Sequence, residues 1–179
     1  RFLIEGIKAI LRNSDKWQIR IVNISIGTLP HQGDEEEMEL MRWVDRLWDE
    51  GLVVVTAAGN FGPRSGTVTI PGISKKVITV GASDDGNQKD RYGKVGTNYS
   101  GRGPTSERVC KPDLVAPGSY IRSCNGFSQK KNQKAYSVKS GTSMSAPVVS
   151  GAVALLLSKY PDMKNVEVKL RLLMSADDM

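Results

Sequence analysis

Ser140-Gly141-Thr142-Ser143-Met144-Ser145-Ala146-Pro147 runs without interruption into the apolar stretch Val148 to Leu157. A glycine, then hydroxyl residues, then Gly151, Ala152, Ala154, Leu155, Leu156 and Leu157 read as a tight turn feeding a helix. That helix is apolar or small on nearly every side and is expected to be packed all round. Pro147 fits a first helical turn, where its missing N–H would have had no intrahelical partner. A serine at this entrance sits where free backbone N–H groups and the positive end of the helix dipole converge. Such a place suits a nucleophile whose reaction builds a negative oxygen. The plainer alternative is that Ser143 or Thr142 only caps the helix, as such residues commonly do.

Upstream, the periodicity alternates between helix and strand. Leu3, Ile4, Ile7, Ile10 and Leu11 share one helical face over residues 2 to 13, and Ile19 to Ile26 reads as a buried strand ending at Gly27. Asp34 is placed to cap a helix, with Glu37 as its capping-box partner; Leu40, Met41, Val44, Leu47 and Trp48 face inward, and Gly51 stops it. The acidic run 34–37 and 39 therefore reads as a helix start in preference to a metal site. Leu52 to Ala57 is a second buried strand and Val77 to Val80 a third, ending in Gly81-Ala82. Residues 83 to 134 read as surface loops with short strands around Leu114-Val115 and Tyr120-Ile121. A final helix is expected to be capped by Asn165 and to carry Val166, Leu170, Leu173 and Met174 inward. The alternation indicates an α/β fold with a largely parallel sheet. In such sheets sites collect beyond the carboxyl ends of the strands, where Ser25-Ile26-Gly27, Ala57-Ala58-Gly59-Asn60 and the Ser143 turn all fall.

Composition narrows the class. The chain has 179 residues, 39% hydrophobic and 25% charged, with a net charge of +6, which suits a single globular domain or part of one. Its bases are scattered apart from Lys130, Lys131 and Lys134, a cluster without interleaved aromatics, so no nucleic-acid partner is expected. No apolar run reaches spanning length, so no membrane partner is expected either. Cys110 and Cys124 fit a pair in a secreted protein or free thiols in a cytosolic one, and both localisations stay open.

Gly141-Thr142-Ser143-Met144-Ser145-Ala146-Pro147 resembles the nucleophile signature of the subtilisin-like serine proteases, the subtilases. Two further family motifs precede it in the right order. Val53-Val54-Val55-Thr56-Ala57-Ala58-Gly59-Asn60 is similar to the segment bearing the oxyanion asparagine, and Ser25-Ile26-Gly27 to the strand that pairs with an extended substrate. The resemblance implies a subtilisin-like three-layer α/β fold and a serine endopeptidase with Ser143 as nucleophile and Asn60 in the oxyanion hole. It further implies substrate contacts at Ser25, Ile26, Gly27, Ala57, Ala58, Gly59, Thr142 and Thr69, the last at the floor of the first specificity pocket. None of these positions is charged, which points to an apolar or medium-sized side chain before the scissile bond. The chemistry needs no cofactor. Asp113, in Lys111-Pro112-Asp113-Leu114, matches a segment that sometimes helps hold a cation. A structural calcium is therefore one expectation there, and a turn-stabilising aspartate the other, since calcium wants six to eight oxygens.

The family's triad Asp and His motifs lie before the first residue that matches, and neither appears here. Asp84-Asp85-Gly86 comes too late in the chain, and His31 sits in a polar loop where a family base does not belong. Residues 1–179 are accordingly expected to be a partial peptidase domain, its C-terminal two-thirds, almost inert alone. A polypeptide would be the substrate, and the missing N-terminal part or a second copy would be a partner. Without that part, unpaired strand edges and exposed apolar surface are expected. The rival reading is a non-catalytic peptide-binding relative or an inert protease fragment.

Overall fold

In the computed structural model, residues 2–31, 33–84, 86, 98–126 and 135–178 are described; Lys130, Lys131, Lys134 and Asp85 lie outside them. The elements are α1 (Phe2–Asn13), β1 (Ile21–Ile24), α2 (Glu35–Asp49), β2 (Val53–Ala57), β3 (Ile78–Ala82), β4 (Leu114–Ala116), β5 (Ile121–Cys124), β6 (Tyr136–Lys139), α3 (Thr142–Lys159) and α4 (Asn165–Ser175).

Strands β1 to β4 form one parallel sheet in chain order, with Val22 opposite Val54, Thr56 opposite Thr79 and Ala82 opposite Ala116. The continuous apolar run Val53-Val54-Val55 belongs to a strand covered on both faces, and every residue of β2 is buried. α3 packs across all four strands, α2 lies against β2, and α1 stacks on α2. This is the α/β sandwich expected from the alternation of patterns.

Several local expectations need correction. β1 is shorter than Ile19 to Ile26, because beyond Ile24 the chain leaves the sheet and Ile26 is 60% exposed. β5 begins at Ile121, not Tyr120, and pairs antiparallel with β6, a strand the pattern did not announce. Asp34 Oδ1 caps α2 by accepting from the N–H groups of Glu36 (2.9 Å) and Glu37 (3.1 Å). Glu37 does not close the box: its carboxylate takes the His31 N–H (2.7 Å) and Nδ1 (2.8 Å) instead.

α4 turns the other way from its expected face. Val168 and Asn165 are buried, whereas Val166, Leu170, Leu173 and Met174 are exposed. Asn165 does not cap. It is the first helical residue, and its Nδ2 donates to the carbonyls of Trp48 (2.6 Å) and Leu52 (3.3 Å), a buried polar tie that orients the helix. α3 is not packed all round either. Val149, Val153 and Leu157 face the sheet, while Val148, Gly151, Ala152 and Leu155 are exposed on the opposite side. The sheet offers α3 only one surface, and no described residue covers the other.

Candidate active site

Neither hydroxyl at the start of α3 caps it. Gly141, at φ +149°, occupies the cap position without a side-chain bond. Thr142 is fully buried, and its hydroxyl donates to Asn60 Oδ1 (3.1 Å) while accepting the Gly59 N–H (3.0 Å). The Thr142 N–H also donates to Asn60 Oδ1, at 2.9 Å. Two donors on one oxygen orient the amide, leaving its Nδ2 for another acceptor. Nδ2 lies along the turn: a Cβ added to Gly141 would stand 3.2 Å from it. Asn60 is solvent-exposed, so an acceptor can arrive from outside. Thr142 thus ties the Gly59-Asn60 loop to the start of α3 from a buried position.

Ser143 sits in the first turn of α3, half-buried, and its Oγ donates to the Ser25 carbonyl at 2.7 Å. Pro147 is the sixth residue of α3, not a first-turn residue as expected. Its ring removes the N–H that would have bonded the Ser143 carbonyl. The turn is braced from below by Asp84. Asp84 Oδ1 accepts the N–H groups of Gly118 (2.8 Å) and Ser119 (3.0 Å), and the Gly118 carbonyl accepts the Gly141 N–H (2.9 Å). No local signal could have found it, because its partners lie 34 and 35 residues away.

Ser25, Ile26 and Gly27 form an open edge beyond β1, with Ile26 and Gly27 exposed. Ala57 and Ala58 are buried, and Ala58 already uses its N–H on Val80 and its carbonyl on Thr69. Of that stretch only Gly59 is partly accessible. Thr69 lies between the two glycines. A Cβ at Gly27 would stand 2.5 Å from Thr69 Oγ1 and 2.6 Å from the Ile70 carbonyl, and one at Gly59 would collide with Thr69 Cγ2. Gly59 also holds φ +93°. Both positions are glycine because Thr69 fills the gap. The Thr69 hydroxyl is buried without a hydrogen-bond partner.

His31, the single histidine, is engaged with Glu37, and that hydrogen bond and charge raise its pKa above 6.5. Cys110 and Cys124 are both free and exposed. Asp113 does not offer a cation its carboxylate. Oδ2 accepts from Lys111 Nζ (2.6 Å) and the Thr79 N–H (2.7 Å), and Oδ1 pairs with Lys169 Nζ (3.1 Å). Calcium does not fit a carboxylate already flanked by two ammonium groups.

Comparison with known proteins bears on the family and the fold. The profile of the subtilase family matches residues 3–179. Serine protease AprX of Bacillus subtilis (strain 168) is 41% identical over 179 residues, covering 93% of this chain and 40% of that protein. Subtilisin NAT of Bacillus subtilis subsp. natto is 33% identical over 174 residues, covering 96% of this chain and 38% of that protein. Among solved structures, Sphericase superposes with a TM-score of 0.77 at 25% identity and the S41 Psychrophilic Protease with 0.74 at 26%, each match covering 97% of this chain and 54% of the other. The chain spans about half the length of those solved structures and 40% or less of the two curated relatives. No described helix is long and apolar enough to cross a membrane. Matched by the family profile over residues 3–179, the chain belongs to the subtilase family of serine proteases.

Proposed function

We propose that this chain supplies the nucleophile, oxyanion and substrate-edge half of a serine endopeptidase. The observation that carries the reading is the bonding of Thr142 N–H and Oγ1 to Asn60 Oδ1, which sets the Asn60 amide beside the Ser143 turn. Ser143 Oγ attacks the scissile carbonyl carbon and gives its proton to a base. The carbonyl oxygen becomes the oxyanion, stabilised by Asn60 Nδ2 and the Ser143 N–H, which has no intrahelical partner in a first turn. Collapse expels the amine, which takes the proton from the base, and leaves an acyl ester on Ser143. Water then attacks that ester by the same route in reverse.

The base and its orienting carboxylate come from polypeptide outside these residues. His31, tied to Glu37, does not serve, and Ser143 Oγ rests meanwhile on the Ser25 carbonyl. An extended peptide lies along Ser25-Ile26-Gly27, with its leading side chain toward Thr69. Because Thr69 fills the space between Gly27 and Gly59, that side chain is small to medium and apolar. Calcium plays no part in these steps.

Fluorophosphonate labelling of the full-length protein from its source, read by mass spectrometry on the Ser143 peptide, tests this. Labelling at Ser143, abolished in Ser143→Ala, is the expected result. An unlabelled but folded full-length protein would instead identify a peptide-binding relative without chemistry.

A further inference from the structure

Lys169 Nζ, on α4, lies 3.2 Å from the Lys75 carbonyl, 3.1 Å from that of Lys76, 2.8 Å from that of Val77 and 3.1 Å from Asp113 Oδ1. An ammonium has three N–H donors, so four oxygens surround it much as they would a spherical ion. Carbonyls with a carboxylate are the donor set of a hard cation. Lys111 Nζ approaches the same cage from the other side, at 3.1 Å from the Val77 carbonyl and 2.6 Å from Asp113 Oδ2. The lysine side chains are 1% and 15% exposed.

From this cage we infer that the chain carries its structural cation covalently. The ammonium groups of Lys111 and Lys169 take the place of a metal at the junction of the turn before β3, the start of β4, and α4. The junction therefore binds no calcium, and its stability does not depend on calcium or on chelators. The charges support this: two ammonium groups face one carboxylate, so the site is already positive before a divalent ion arrives. Burial leaves that repulsion poorly screened. The oxygens are also committed, since Asp113 Oδ2 accepts the Thr79 N–H as well. A free ion leaves its site by mass action when diluted; a tethered one cannot. The tether also pins three segments at once, and the buried residues of α4 are Asn165 and Val168, with Leu172 partly buried against the core.

The test uses the full-length protein carrying Ser143→Ala. Thermal unfolding is recorded in EDTA, in millimolar calcium and in sodium at matched ionic strength, and any calcium dependence of the midpoint is expected to be the same in Asp113→Asn, so that none of it comes from this junction. Terbium supplies a direct probe, because the Trp48 ring lies 5.9 Å from Lys169 Nζ and would sensitise an ion held there. No terbium emission that depends on both Asp113 and Trp48 is expected. The Lys111→Met/Lys169→Met pair removes the resident charges. Its midpoint is expected to fall by roughly 10 °C, the scale of a broken buried ion pair in a domain this size, and to recover in part with calcium. A calcium-dependent rise that Asp113→Asn abolishes, together with terbium emission lost in Asp113→Asn or Trp48→Phe, would overturn the inference. If the double variant does not fold, Asp113→Asn and Trp48→Phe still decide it.

Discussion

The Thr142 hydroxyl lies 3.1 Å from Asn60 Oδ1 and donates to it, joining the start of α3 to the loop after β2 across 82 residues of sequence. The same hydroxyl accepts the Gly59 N–H. One buried oxygen therefore sets both the backbone of Gly59 and the side chain of Asn60 relative to Ser143.

Thr142→Val keeps the shape and removes the hydroxyl. It leaves the Gly59 N–H without its acceptor, at a cost of about 1–3 kcal/mol. In the full-length protein kcat is expected to fall, with KM nearly unchanged, because the amide loses one of two orienting bonds. Thermal unfolding and steady-state kinetics check the two effects separately.

Asn60→Ala removes the amide and also takes the acceptor from the buried Thr142 N–H and hydroxyl, so thermal unfolding is measured beside the kinetics. An oxyanion role is expected to show as a loss of about 10²–10³ in kcat, a magnitude measured on a subtilisin asparagine. A change confined to KM would mean that Asn60 only contacts substrate.

Thr69 offers opposite outcomes at one locus. Thr69→Val deletes an unpartnered buried hydroxyl, and a gain of about 1 kcal/mol is expected in thermal unfolding. Gly27→Ala is expected to lose about 1–3 kcal/mol by overpacking. Adding Thr69→Gly should rescue it only in part, because the Ile70 carbonyl still stands 2.6 Å from the new Cβ.

The His31–Glu37 bond raises the His31 pKa above 6.5. A raised histidine stabilises fully below its unfolded pKa and loses that contribution as pH climbs through the folded value. Titration of the His31 ring by NMR is expected to show a midpoint above 6.5, returning toward it in Glu37→Gln. No shift between the two proteins would remove Glu37 as the cause.

Burial lowers the Lys111 pKa from 10.5 to about 8, against the raising effect of Asp113. Between those values the unfolded chain holds a proton that the folded one has lost, so this group adds stability as pH rises. The gain is bounded at about 3 kcal/mol by the size of the shift. In chemical denaturation, the stability difference between the unaltered chain and Lys111→Met is expected to move in favour of the unaltered chain from pH 8 to 10.5.

Much of this was legible in linear order. Continuous β-branched runs such as Val53-Val54-Val55 announced buried parallel strands, and the spacing of Ile4, Ile7 and Leu11 announced α1, because those signals repeat within a few residues. Helix α4 was legible in position but not in orientation. Its exposed apolar residues Leu170 and Met174 outnumber the buried Val168, and the tie from Asn165 to the Trp48 carbonyl decided which way it faces.

The residues of the candidate site belong to the first kind of information. Ser143, Asn60 and Gly27 stand at strand ends or a helix start, and local pattern alone places them there. Their working relationships do not. Ser143 Oγ meets a carbonyl 118 positions earlier, Thr69 determines why Gly27 and Gly59 lack side chains, and Asp113 is enclosed by lysines from two different segments. A hydrogen bond or a steric gap reaches only a few ångströms, so which distant residues share it is decided when the chain packs.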